Sequence, residues 1–189
     1  MKALQTISFP DHAERVVALY NEEMDALLLG MLGHEYVIRH DGILLHGQKA
    51  PESHAAIILD YLLSTGISQR VTPWRALGDF SGRLVPDFRK RVELPLTNYA
   101  AELITRAGSL LPMIDAETAP SLVSSDLAIV IRALPKVHLR VELSQETQDF
   151  PAEAWVLYSN NADAFLTPVS LEMLAEVFKD RMLSLLRIY

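Results

Sequence analysis

Four histidines, His34, His40, His46 and His54, crowd one stretch of the chain, and imidazole is the commonest metal ligand among the side chains. Their spacing argues against a metal centre. Asp41-Gly42 is a favoured pair for a two-residue hairpin turn, which would pair His40 with Ile43 and Val37 with His46. Alternation then sets His40 and His46 on opposite faces of the hairpin. With no HExxH or similarly spaced motif, the pattern predicts surface or capping histidines, and the same is expected of His138.

Carboxylates offer a second chemistry. Glu146 and Asp149 fall in the loop before the last predicted strand and Asp126 opens the first, so two or three acids could meet at one end of a sheet. Such a group could do general acid–base work or bind a cation. The plainer reading has Asp126 capping a turn and the other two in solvent. Trp74 with Arg75, in a Gly- and Pro-containing loop, could stack on a flat ligand, with Arg70, Arg83 and Arg89 adding anion contacts. A loop tryptophan is also a natural packing anchor, because so large an apolar ring finds cover. The ligand-binding candidates are therefore Trp74, Arg75, Asp126, Glu146 and Asp149, with no residue assigned to catalysis or to a metal.

Other chemistries are excluded or unsupported. The 189 residues contain no cysteine, which removes disulfides, thiolate nucleophiles, zinc–thiolate sites and iron–sulfur ligation by this chain alone. There is no GxGxxG, GxxxxGK[ST] or GxSxG, and His46 lies too far after Asp41 for a corrinoid Asp-x-His-x-x-Gly signature, so no cofactor is expected. The formal net charge is −7, and Arg89-Lys90-Arg91 is the longest basic cluster, so nucleic acid is not an expected partner. Neither the start, Met1-Lys2-Ala3-Leu4-Gln5, nor any apolar run reads as a leader or a membrane span, which predicts a cytoplasmic protein.

The elements that must position these residues centre on Asp126 to Ser159. Three apolar runs, Leu127–Ile131, Val137–Leu143 and Trp155–Tyr158, read as consecutive strands. In the middle one Val137, Leu139, Val141 and Leu143 alternate with His138, Arg140 and Glu142, as in a strand with one buried and one wet face. Upstream, the pattern predicts a helix over Phe9 to Glu23, a strand over Ala26 to Leu32 and the hairpin about Asp41-Gly42. A helix from Ser53 should end at Gly66. Ile67 to Leu84 has no period and reads as a loop with a short helical turn around Trp74–Leu77. Helices are expected over Val85 to Val92 and Leu96 to Ala107, then an irregular connection from Leu110 to Ser125. The last helix, Val169 to Ile188, is capped by Ser170 and carries the stripe Leu171, Leu174, Ala175, Phe178, Met182 and Leu185. This order predicts one α+β domain over residues 1–189, an antiparallel sheet of about five to six strands with helices packed on it.

Seven segments stand out in order: Leu32-Gly33-His34-Glu35-Tyr36-Val37 in an early strand, Ile58-Leu59-Asp60-Tyr61-Leu62-Leu63 in a helix, then Thr72-Pro73-Trp74-Arg75-Ala76-Leu77, Asp126-Leu127-Ala128, Leu134-Pro135, Asp149-Phe150-Pro151-Ala152-Glu153-Ala154 and Phe165-Leu166. This ordered set resembles the domain of unknown function 3786 family, found mostly in anaerobic bacteria and archaea. Some members carry the domain beside iron–sulfur or corrinoid modules, so the resemblance implies an accessory role in anaerobic one-carbon or redox metabolism. Three positions that tend to be acidic in relatives are neutral here, at Gln148-Asp149, Tyr158-Ser159 and Val169-Ser170. The leading reading is a non-catalytic ligand-binding or accessory module that holds a small molecule or a protein partner near Trp74, Asp126 and Asp149. An enzyme of unrecognised class using Asp126, Glu146 and Asp149 is the second. A structural homo-oligomer, betrayed by an exposed apolar face on the last helix, is the third.

Overall fold

Asp126 to Ser159 forms the strands its alternation predicts. In the computed structural model, which describes residues 2–81 and 87–188, β7 (Leu127–Leu134), β8 (Val137–Ser144) and β9 (Glu153–Tyr158) pair antiparallel, and β6 (Ala116–Thr118) joins on the far side of β7. Strand β6 lies within the connection that the sequence reads as irregular. A second antiparallel sheet precedes this one, in the order β1 (Leu19–Asn21), β2 (Ala26–Met31), β3 (His34–Arg39), β4 (Gly42–Leu45) and β5 (Gln48–Lys49). The class is α+β, but the nine strands among the described residues form two sheets rather than one of five or six.

The sheets meet at β2 and β7 through a bulge. Register between β7 and β8 runs from Arg132↔His138 to Leu134↔Val137, leaving Ala133 unpaired in the ladder. Its carbonyl instead accepts the N–H of Leu32, from the β2–β3 turn, at 3.1 Å. Leu32 and Gly33 both have positive φ (52° and 75°), the geometry of a tight two-residue hairpin turn. Only glycine fits at position 33, where a Cβ would lie 2.1 Å from the carbonyl oxygen of Met113.

Helices cover one face of each sheet. Along β8, Val137, Leu139, Val141 and Leu143 are buried, joined by Ala154, Val156 and Tyr158 of β9. The predicted stripe of α6 (Pro168–Ile188) is buried from Leu171 to Leu185, so that helix shows no free apolar face there. It packs against α2 (Glu52–Leu63), α3 (Leu77–Ser81) and α5 (Ala100–Leu110). Its cap is Thr167 rather than Ser170: the Ser170 N–H donates to Thr167 Oγ1, and Thr167 donates through both N–H and Oγ1 to Asp60 on α2.

Boundaries elsewhere shift for local reasons. Helix α1 (Phe9–Val16) stops short of Glu23 because Val17 turns left-handed (φ 56°) and the Ala18 N–H closes back onto Ala13. Helix α2 ends at Leu63, with Ser64 as its C-cap, before Gly66, which lies against the Ala164 backbone. The β3–β4 turn uses His40-Asp41, pairing Arg39 with Gly42, and the left-handed pair lies one turn later at His46-Gly47. The helical turn of the long loop begins at Leu77. A π-helical turn, Arg89–Glu93, leads into α4 (Leu94–Thr97), while α5 runs through Gly108. Arg83 and the predicted start of the Val85–Val92 helix lie outside the described residues. Among those described, no helix is long and apolar enough to cross a membrane.

Candidate functional site

The face of β8 expected to be wet is where the structure departs furthest from the sequence pattern. Arg140 and Glu142 are 4% and 1% exposed, and they face each other with Nε to Oε1 at 2.7 Å. Segment 120–125 roofs them. The Ser121 and Ser125 hydroxyls donate to Glu142 Oε2, the Leu122 N–H donates to Oε1, and Arg140 Nη2 donates to the Pro120 carbonyl. Burial alone would raise the Glu142 carboxyl. The donors from Ser125, Ser121, Leu122 and Arg140 outweigh it and hold that carboxyl below its ordinary value.

This pair links the sequence-predicted candidates. The half-buried Trp74 ring lies 5.8 Å from the Arg140 guanidinium carbon, while the Asp126 carboxylate, beside Ser125, accepts the Gln145 N–H at 2.9 Å. Glu146 and Asp149 follow in that same loop, exposed and without a partner among the described residues. Arg75 is tied elsewhere. It reaches Asp163 at 3.2 Å, donates to the Asp79 carbonyl and lies 3.9 Å over the Phe80 ring, and its backbone bridges Tyr158. Trp74 and Asp126 thus lie along one strand face with Arg140 and Glu142 between them.

A second constellation involves histidines beyond the pair His40 and His46 that alternation separates. His40 stacks on Phe9 and bonds the Leu4 carbonyl. His46 instead meets His34 edge-on, ring centres 5.1 Å apart, and the buried Tyr36 hydroxyl lies 2.7 Å from His54 Nδ1. Strands β3 and β4 together with α2 therefore gather three imidazoles at one end of the first sheet. Among the described residues no three His, Asp or Glu side chains converge to hold a metal ion. Burial pushes His34 down to about 4, with help from Arg181 and the two neighbouring imidazoles, so it is neutral at ordinary pH.

His34 also lines the seam between the sheets. A cavity of about 480 Å³ opens there between the Gly33 turn, Pro112, Pro135, Asp115 and Arg132. A second, of about 280 Å³, shares Asp115 and Arg132 and is backed by His138. Arg132 and His138 are direct cross-strand partners, so their side chains share a face. Among the described residues, the Arg132 side chain commits only its Nε, to Asp115 Oδ2 at 2.7 Å, and His138 Nδ1 is buried without a partner. Burial followed by the Arg132 charge lowers the His138 pKa, so this ring too is neutral at ordinary pH. The cleft therefore combines one cation with uncommitted donors, the carboxylates of Glu35, Asp115 and Glu117, and two uncharged imidazoles. Proline and methionine supply apolar wall. The sequence signal for it was weak: a Leu-Gly turn, and a polar residue on each of two neighbouring strands.

A family model described as Domain of unknown function (DUF3786) matches residues 8–181 of the chain. Comparison with curated proteins and with solved structures finds no match.

Proposed function

We propose that this chain, which belongs to the DUF3786 family, is a non-catalytic binding module that holds a small polar molecule in the seam cleft. The observation that carries the reading is Arg132. It stands between two concavities, each backed by a neutral imidazole, and its two terminal amino groups are uncommitted among the described residues. Concave sites with a few converging polar groups on an apolar wall are where small ligands bind. The walls are also fixed in advance: Leu32 is held left-handed by the Ala133 carbonyl, and Asp115 is left-handed at φ 56°. Retention rather than turnover fits the two linings, which among the described residues include no serine, threonine or cysteine.

Native mass spectrometry of protein purified gently without oxygen tests this. A bound non-protein mass is expected in the parent chain and in Trp74→Ala, and is expected to vanish in Arg132→Ala. Arg132 is more than half exposed, so its removal should leave the fold intact. A bare polypeptide, or a mass that survives Arg132→Ala and is lost in Trp74→Ala, would refute the cleft and, in the second case, move the site to the Trp74 loop.

A further inference from the structure

Two loops emerge at the same end of the four-stranded sheet, one entering β7 and one joining β8 to β9, and the Asp126–Gln145 hydrogen bond ties them together. Between them they expose three large apolar side chains: Leu122 at 59%, Val123 at 53% and Phe150 at 71%. Neither loop is slack. Glu142 pins the Leu122 N–H and the two serines, Ser121 Oγ accepts the N–H groups of Val123 and Ser125, and Thr147 closes a turn on Phe150 through both its backbone and its hydroxyl. A buried carboxylate, costly to desolvate, is thus used to hold apolar residues out in water. That arrangement preorganises a contact surface and lowers the ordering cost of binding.

Charge says what would cover it. Asp126, Glu146 and Asp149 belong to these same two loops, and neither 107–131 nor 141–178 contains a single Lys or Arg. Of the three basic residues between those runs, Arg140 is buried against Glu142, while Arg132 and Lys136 lie at the other end of the β7–β8 pair. A second copy meeting this face with the same face would set acid against acid. We propose that Leu122, Val123 and Phe150 form a docking surface for a basic amphipathic segment of a partner protein, its apolar side on these three residues and its Lys or Arg side chains on Asp126, Glu146 and Asp149. The surface is independent of the seam cleft and shares no residue with it.

The test is fluorescence anisotropy of the full chain with a labelled peptide of Leu and Lys at helical spacing, beside oligolysine and a Leu/Glu version of the same peptide. The Leu/Lys peptide should bind, oligolysine about tenfold more weakly, and the Leu/Glu peptide not at all. The charge-neutral double variant Leu122→Ser/Phe150→Ser should weaken binding by about tenfold or more, since exposed side chains at the centre of such a contact dominate its affinity. Glu146→Gln/Asp149→Asn should weaken it less and flatten its salt dependence. Equal binding by oligolysine, or binding unchanged in Leu122→Ser/Phe150→Ser, would overturn the proposal. So would failure of the Leu/Lys peptide to bind while zwitterionic lipid vesicles co-sediment with the chain, which would assign the apolar residues to a membrane surface.

Discussion

Removing the Glu142 carboxylate should expose how much of this molecule rests on one buried charge pair. In Glu142→Leu, Arg140, 4% exposed in the parent chain and bonded to the Pro120 carbonyl, loses the only carboxylate it meets among the described residues. A guanidinium cannot discharge itself by losing a proton, so its charge must be buried unpaired or drag the segment 120–125 open to water. Breaking a buried pair from one side costs about 3–5 kcal/mol. Arg140→Leu should cost less, because the orphaned carboxylate keeps the Ser121, Ser125 and Leu122 donors and can also take up a proton. The double variant Arg140→Leu/Glu142→Leu should be more stable than Glu142→Leu alone, since exchanging a whole buried pair for packed aliphatic side chains is often close to neutral.

Urea unfolding of the four proteins, read as a double-mutant cycle, gives the coupling directly. Hydrogen exchange adds a local readout: the amides of Leu122, Val123 and Ser125 should lose protection in both Glu142→Leu variants, because their acceptors depend on that carboxylate. If the double variant is destabilised by the sum of the two singles, the residues do not act as a pair and the account of this face fails.

Two further perturbations have worked signs. His34 takes up its proton at about 4 in the folded chain against 6.5 when unfolded, so between those values the unfolded state binds more protons. Its contribution is complete above about pH 6.5 and is lost as pH falls through that window, by about 1–2 kcal/mol once screening of this partly exposed ring is allowed for. His34→Gln should flatten that part of a stability–pH curve, with a residual slope from His54 and His138, whose pKa values are lowered as well; an unchanged slope would refute it. Gly33→Ala should cost about 2–3 kcal/mol, because its Cβ would strike the Met113 carbonyl and its φ is +75°. Gly108→Ala, inside α5 with open space around its Cβ, should instead gain about 0.5–1 kcal/mol in the same melts.

The parts of the fold legible in the sequence are those where one periodicity persists. Leu171 to Leu185 keeps a helical stripe over four turns, and Val137 to Leu143 alternates without a break, and both elements form where the pattern places them. Failures cluster where a single backbone geometry outweighs the pattern. Val16 to Met24 continues a plausible helical stripe, yet a left-handed Val17 cuts it and turns Leu19–Asn21 into an edge strand. At the hairpins, Asp41-Gly42 carries the stronger composition signal, but the positive φ values fall at Leu32-Gly33 and His46-Gly47. The left-handed turn at His46-Gly47 goes with the meeting of His46 and His34, while His40, which alternation sets apart from His46, does lie elsewhere, stacked on Phe9.

Burial of a charge is a different kind of failure, because period-two alternation reports which residues share a face and not what lies over it. His138, Arg140 and Glu142 do share a face, as read; the roof comes from residues about twenty positions upstream, whose prolines and serines look like any solvated connection. The physical clue lay in the pairing itself. An arginine and a glutamate two apart on one strand face are neighbours in any register, and serines that can reach a carboxylate become a lid once water is excluded. The two surfaces depend on different supports. The seam cleft owes its shape to the bulge at Ala133 and would survive loss of Glu142. The apolar display of Leu122 and Val123 would not, because the carboxylate that orders their loop is the group being removed. Peptide binding should therefore fall in Glu142→Leu while the mass retained in the cleft is unchanged, and loss of both together would mean that the two faces are one site.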